Sequence, residues 1–270
     1  MFVYATKMSL LNKSIQYLSY LAKSKTAHGL HSPFVYKFVT ELLETENEDY
    51  YLFKELHEVR KQLLKNSTLI EITDFGAGSK IFKDNKRRIC DIAKHGISEK
   101  KFSELYFKMV NFCNTAYVVE LGTSIGLNTL YLAKANSKSK IYTIEGCPAL
   151  FEFSSQLFKK HNAENITSLK GNFDVVLPEL LNNLPRLDFL YIDGNHQYEA
   201  TKKYFEMAMT KNHEHSVFIF DDINWTEGMQ KAWEEIKNHP EVTLSLDLFN
   251  VGIIFFRKEQ KEKEHFILRY

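Results

Sequence analysis

The sequence predicts an α/β fold: a doubly wound, mainly parallel sheet of seven strands with helices on both faces, a reversed strand at its C-terminal end, and helices ahead of it. Three observations predict it. From residue 115 onward, short β-branched and aromatic runs alternate with helical stretches, the pattern of strand–helix–strand units. Before that point apolar residues mostly recur at helical spacing. The last two apolar runs have only Asn250 between them, with Gly252 following, too little chain for anything but antiparallel pairing.

Taken in order, Leu10, Leu11, Ile15, Leu18 and Leu21 form one amphipathic stripe. Phe34, Val35, Phe38, Val39 and Leu42 form a second, with Pro33 suited to the first helical position. Ser98 is a candidate N-cap for a third helix, whose face is Phe102, Leu105, Tyr106, Met109 and Phe112. The segment KTAHGLHSPF between the first two is a loop carrying His28 and His31. Strands are expected at 117–121, 140–144, 166–170, 188–192, 217–220, 242–249 and 251–257. Helices are expected near 127–135, 149–161, 173–183, 199–210 and 226–238. The mixed-charge run RKEQKEKEH reads as a solvated face or linker. The chain thus divides into a mainly helical N-terminal extension, 1–114, and an α/β domain, 115–270.

Composition excludes several classes. Hydrophobic residues make up 44% and charged residues 26% of the 270, the balance of a globular chain. A net charge of +1 gives no bulk reason to expect nucleic acid or an anionic membrane as partner. No apolar run approaches the ~20 residues that span a bilayer. Cys90, Cys113 and Cys147 form no C-x-x-C pair, so neither a disulfide framework nor a zinc knuckle is expected. With no signal-peptide pattern at the N-terminus, the expectation is a cytoplasmic protein.

Two glycine-rich turns compete for a nucleotide ligand: Thr73–Lys80 (TDFGAGSK) and the turn in VVELGTSIG, residues 118–126. A strand–turn–helix cradle needs glycines for close backbone approach and free N–H groups at a following helix N-terminus. It also needs an acidic residue about 20 positions on, to hold ribose hydroxyls. The second turn has both, running from Gly122 through Gly126 into Leu127 and meeting Glu145 at the end of the next strand. After the first turn come Lys80, Lys83, Lys86, Arg87 and Arg88, with no second strand and no acidic tip expected. That turn reads as a tight surface turn, or as a lid or substrate loop whose basic cluster meets an anion.

The pattern is E-x-G-x-x-x-G rather than G-x-G-x-x-G. Glu120-Leu121-Gly122-Thr123-Ser124-Ile125-Gly126 resembles the first motif of class I S-adenosylmethionine-dependent methyltransferases. The resemblance continues through Ile144–Pro148, Leu169–Asp174, Tyr191–His196, Phe220–Asp222 and the C-terminal hairpin, covering residues 115–257. Within that class the chain is most similar to the catechol-type and related small-molecule O-methyltransferases. The resemblance implies a Rossmann-like fold, S-adenosylmethionine as cofactor, and a small-molecule acceptor. By it, Glu120, Gly122, Thr123, Ser124 and Gly126 receive the methionine end of the cofactor. Glu145 holds the ribose, Asn172, Phe173 and Asp174 flank the adenine (Phe173 alternatively being a core residue at a helix start), and Asp193 contacts the cofactor.

Asp193, Asp221 and Asp222 end adjacent strands where open α/β sheets bind ligands. Crowded carboxylates repel, and a divalent cation relieves this; hard oxygen ligands suit Mg²⁺. Catechol-type enzymes hold Mg²⁺ with an Asp and an Asp-Asn pair at these positions, where this chain has Asp-Asp. The alternative is that Asp193 serves only the cofactor and Asp222 caps the following helix. The lysine base of those enzymes is replaced here by His196, which titrates near neutrality and suits a general base; its alternative is a contact to Asp193 or water at the start of a helix. Trp225 is a candidate wall of the acceptor pocket, and Trp233 a core residue. The added N-terminal helices imply a lid, a specificity element or a homodimer surface. An N-methyltransferase or a macromolecule methylase, a nicotinamide-dependent oxidoreductase, and a non-catalytic cofactor-binding protein are the competing readings.

Overall fold

A computed structural model describes residues 10–45, 50–73 and 85–270. In chain order its elements are α1 (Leu10–Lys23), α2 (Pro33–Phe38) continued by a π-helical turn at Val39–Leu43, and α3 (Tyr51–Lys65). A short ribbon, β1 (Leu69–Glu71) and β2 (Lys86–Arg88), is followed by α4 (Ile89–His95) and α5 (Lys100–Phe112). The alternating part runs β3 (Tyr117–Leu121), α6 (Leu127–Ala135), β4 (Lys140–Glu145), α7 (Pro148–Lys160), β5 (Ile166–Lys170) and α8 (Phe173–Asn183). It continues with β6 (Phe189–Ile192), α9 (Tyr198–Met209), β7 (Val217–Phe220), α10 (Glu227–Lys237), β8 (Leu244–Asp247), β9 (Gly252–Phe255) and β10 (Glu264–Ile267).

The chain forms two compact units. One joins the described residues up to Thr45 to Arg186–Tyr270; the other holds the described residues from 50 to Pro185. In the second of these, β3, β4 and β5 lie side by side and parallel, with Leu121 opposite Ile144 and Glu145 opposite Lys170. Val118, Val119, Leu121, Ile141 and Ile144 are fully buried, because strands covered on both faces have no solvent side to keep polar. In the other unit the strand order is β10-β8-β9-β7-β6. There β6 and β7 are parallel, β9 is antiparallel to both β7 and β8, and β10 is parallel to β8. The expected reversed hairpin is present, with Leu244 opposite Phe255.

Three expectations are corrected. The two units carry eight such strands where seven were expected: the tail of the charged run, Glu264 and His265, opens β10, held by pairing with β8. A second strand does follow the first glycine turn, since Lys86–Arg88 pairs antiparallel with Leu69–Glu71. The turn falls between these two strands in sequence; 74–84, with both its glycines, Lys80 and Lys83, lie outside the described residues. Ser98 does not cap the third expected helix. Glu99 holds that place, and Ser98 Oγ instead accepts a bond from Asn128 Nδ2 at 2.9 Å.

The stripe of α1 also behaves differently from expectation. Ile15 is 57% and Leu18 64% exposed, while Tyr20 is the residue buried and its hydroxyl donates to the Leu268 carbonyl. Against the second stripe the outcome is as expected: Val35, Phe38, Val39 and Leu42 are buried. Among the described residues no helix is long and apolar enough to cross a membrane. All three cysteines are free thiols, Cys147 buried.

Candidate functional site

The cofactor turn is built by backbone conformation first. Gly122 (φ 106°), Ser124 (φ 50°) and Gly126 (φ 83°) all adopt the left-handed region, which curls the chain between β3 and α6. Glycine at 126 is doubly required: a Cβ there would lie 2.7 Å from Phe158 on α7. Gly122 N–H and Thr123 N–H both point to the Ile144 carbonyl, at 3.1 and 3.4 Å, tying the turn to β4.

Glu145, at the end of β4, is buried, yet its two carboxylate oxygens are each engaged. Oε2 accepts from Ser124 N–H and Oε1 from Cys147 N–H, both at 2.8 Å. An ionised carboxylate has about four acceptor sites. Two backbone bonds orient it and leave capacity for a vicinal diol. Glu120 is placed differently. It is fully buried on β3 and accepts from the hydroxyls of Thr129 on α6 and Thr143 on β4. Its placement is that of an internal clamp between two strands and the helix that follows the turn. Thr123 is buried too, its hydroxyl 2.5 Å from that of Thr143. Asn172 is the N-cap of α8 and accepts from Asp174 N–H at 2.8 Å; Phe173 follows it, half-buried. This turn, an oriented carboxylate and a capped helix start after the third strand form a set that fits an adenosyl ligand.

The second set lies at the ends of β6 and β7. Their register pairs Ile192 with Phe220, so Asp193 and Asp221 emerge at neighbouring positions. Tyr191, two residues before Asp193 and hence on the same strand face, donates to Asp193 Oδ2 and lies equally close, 2.9 Å, to Asp221 Oδ2. Alternation of strand side chains was the signal that could have singled out Tyr191. Asp222 has φ 56°, left-handed for a non-glycine residue, a conformation found at functional positions more than elsewhere. It does not cap α10; Thr226 does, through a bond from Met229 N–H. His196 stands just before Gln197, the N-cap of α9, with Nε2 3.7 Å from Asp193 Oδ1 and 3.9 Å from Asp222 Oδ2. Both separations exceed a direct hydrogen bond. The imidazole lies parallel to the Trp225 indole, 6° between planes and 6.2 Å between centroids. Trp233 is core, packed on Gly252.

Burial and crowding set the charges here. Asp193 is pushed up to about 7, first by burial and then by the nearby Asp222 carboxylate, with the Tyr191 hydroxyl opposing. Asp222 is pushed up to about 6 by burial and by Asp221, while His196 and Lys13 pull it down. Burial holds His196 below the ordinary imidazole range, partly offset by Asp222. Its ring is therefore neutral, with a lone pair to accept a proton, at neutral pH.

These carboxylates crowd, but they do not converge on one point. Among the described residues no group of three or more His, Cys, Asp or Glu side chains is arranged to hold a metal ion. Tyr191 also occupies one oxygen of Asp193 and lies against one of Asp221. As placed, Asp193, Asp221 and Asp222 do not fit Mg²⁺.

Comparison with known proteins agrees with the fold. Residues 119–223 match the family described as a methyltransferase domain. No curated protein sequence matches. Similar solved structures include an O-methyltransferase from Bacillus cereus in complex with SAH, 15% identical, covering 82% of this chain and 97% of that one at a TM-score of 0.54. SAH-bound methyltransferase PaMTH1 from Podospora anserina is 14% identical, covering 80% and 99%, with a TM-score of 0.55. The O-methyltransferase TomG from Streptomyces achromogenes, involved in tomaymycin synthesis and in complex with SAM, is 15% identical, covering 60% and 82%, with a TM-score of 0.53. At such identities the likeness is one of fold.

Proposed function

We propose that this chain, which carries a class I methyltransferase domain, is an S-adenosylmethionine-dependent enzyme that methylates the hydroxyl of a small molecule. The observation that carries the reading is the placement of His196 within 4 Å of Asp193 and Asp222 at the strand ends, in a domain whose glycine turn and Glu145 suit the adenosyl cofactor. When bound, the cofactor supplies a sulfonium-activated methyl group. Glu145 holds the ribose diol, Gly122–Gly126 cradle the methionine end, and Asn172 and Phe173 border the adenine.

His196 Nε2 takes the acceptor's O–H proton as the oxygen forms its bond to the methyl carbon and the carbon–sulfur bond breaks. The imidazole would hold the acceptor's proton, and the cofactor would supply the methyl group and leave as a neutral thioether. Asp193 and Asp222 stabilise the imidazolium as it forms, the arrangement a general base needs to gain charge in a buried place. Trp225, 38% exposed beside His196, gives the acceptor a flat wall. The peptide after the fourth long strand, Asp193-Gly194-Asn195-His196, has none of the prolines of the amino-methylating tetrapeptide, which favours oxygen over nitrogen.

A cation-assisted version of the same reaction is favoured by the carboxylate crowding here, with Asp222 pushing Asp193 up and Asp221 pushing Asp222 up. It requires these carboxylates to turn toward one point. Chelation separates the versions. Turnover of hydroxylated aromatic probes that survives EDTA supports proton removal by His196 alone, and turnover abolished by EDTA and restored by Mg²⁺ supports the cation. Titration with S-adenosylhomocysteine tests the reading as a whole: absence of binding overturns it. The N-terminal residues 1–114 are assigned to acceptor selection or to a homodimer surface.

A further inference from the structure

The exposed side of α1 has a purpose if it faces a ligand. Its Tyr17 packs edge-on against Phe249, at 5.0 Å, and Tyr20 lies 5.2 Å from the same ring. Beside these contacts is an open cavity of about 460 Å³, lined by Lys13, Ser14, Tyr17, Leu18 and Phe249. Its size falls in the range of small-molecule pockets.

Two further features connect this cavity with the reacting residues. Phe249 has φ 69°, a strained conformation for an aromatic residue. It is held there by Asp247 Oδ1, which accepts from its N–H, and by Asn224 Nδ2, which donates to its carbonyl. Asn224 is the neighbour of Trp225, so the strained aromatic and the indole are fixed by one segment. Lys13 Nζ, from the other wall, lies 5.3 Å from the centre of the Trp225 ring, whose plane parallels His196. Among the described residues Lys13 makes no ion pair within 4.0 Å, although its charge reaches Asp222.

We propose that this cavity receives the body of the methyl acceptor and that Lys13 binds an anionic group on it, so that the acceptor is a flat, apolar hydroxy acid. This rests on the O-methylation reading for the position of the hydroxyl, at His196. The aromatic rings of Tyr17 and Phe249 in its lining suit a planar body, and Lys13 in the same lining offers an anionic group a partner that a neutral alcohol or a sugar does not use.

The test uses the full chain loaded with S-adenosylhomocysteine and two probes, para-hydroxybenzoate and its neutral methyl ester. Calorimetric titration should show the acid bound about tenfold or more tightly than the ester. Lys13→Ala should remove that preference by weakening the acid alone, and Lys13→Arg should restore most of it. Lys13 is half-buried in the cavity lining and outside the core, so both variants should melt within a few degrees of the parent. Equal binding of acid and ester, no binding of either, or a preference that survives Lys13→Ala overturns the proposal. Methyl transfer from S-adenosylmethionine is measured separately. Lys13-dependent acid binding with no methylated oxygen product would sink the reaction while sparing the anion site; methylation of both probes without preference would do the reverse.

Discussion

Glu145 and His196 are the residues on which the functional reading turns, and each gives a separate measurement. Glu145→Ala removes the ribose acceptor and the partner of two backbone N–H groups. It should weaken S-adenosylhomocysteine binding about tenfold or more, an interaction of the order of a charge-assisted hydrogen bond, and calorimetry reads it directly. His196→Ala should cost about a hundredfold or more in kcat, the usual range for loss of a general base, with cofactor affinity retained; an unchanged kcat would remove His196 from the mechanism. Because burial lowers the His196 pKa from 6.5, the reactive neutral form persists below that value. The acid limb of the kcat profile should therefore fall below pH 6.5, and a limb above neutrality would contradict it. Asp193 carries a stability signature of opposite sense to an ordinary salt-bridged carboxylate. Its folded pKa of about 7 lies above the unfolded 3.8, so the fold holds the proton more tightly. The native state is then unpenalised below pH 3.8 and loses stability as pH rises through about 7. Asp193→Asn should raise the melting temperature by a few degrees at pH 8 and give no gain near pH 4; the side chain keeps 20% exposure, which keeps the effect modest.

Among the elements, the short segments show how local sequence and packing share the work. The glycine-to-helix step at Gly126–Leu127 was readable as a residue choice, and the Asn172 cap of α8 and the Thr226 cap of α10 start their helices by known local devices in the structure. Ser98 fits the same rule and yet is used by Asn128 of α6, because a cap is worth only about 1 kcal/mol and a buried amide left unpaired costs as much or more. Asn128 also meets Ser103 on α5, which in turn receives a bond from Arg60 on α3. Gly252 on β9 is the clearest case of packing at this scale. A Cβ there would fall 2.6 Å from the Trp233 ring of α10, two rigid groups with nowhere to move. Gly252→Ala should destabilise by about 1–3 kcal/mol as overpacking, seen as a lower denaturation midpoint with an unchanged slope. A neutral result would mean that α10 is free to shift.

At the scale of the whole molecule, the period-two and period-3.6 patterns after residue 115 marked the helices and every strand but β10, and the order of motifs along them pointed to a methyltransferase domain before any contact was known. These are local signals: alternation decides burial of a strand, and a glycine turn followed by a helix start decides where N–H groups are free. What the tertiary structure decided lies in contacts between residues far apart in the chain. The described residues up to Thr45 fold with Arg186–Tyr270, which no boundary drawn near residue 115 conveys. Tyr20 binds the Leu268 carbonyl and Lys13 stands over Trp225, so the first helix packs on the C-terminal segment while Ile15 and Leu18 stay exposed. Strand β10 emerges from a charged run because pairing with β8 satisfies its backbone, whatever its side chains prefer. The three aspartates were legible as a crowd of carboxylates; their failure to meet at one point was not. Spacing places a residue at a strand end, but rotamer, left-handed backbone and a bridging hydroxyl decide where its oxygens point.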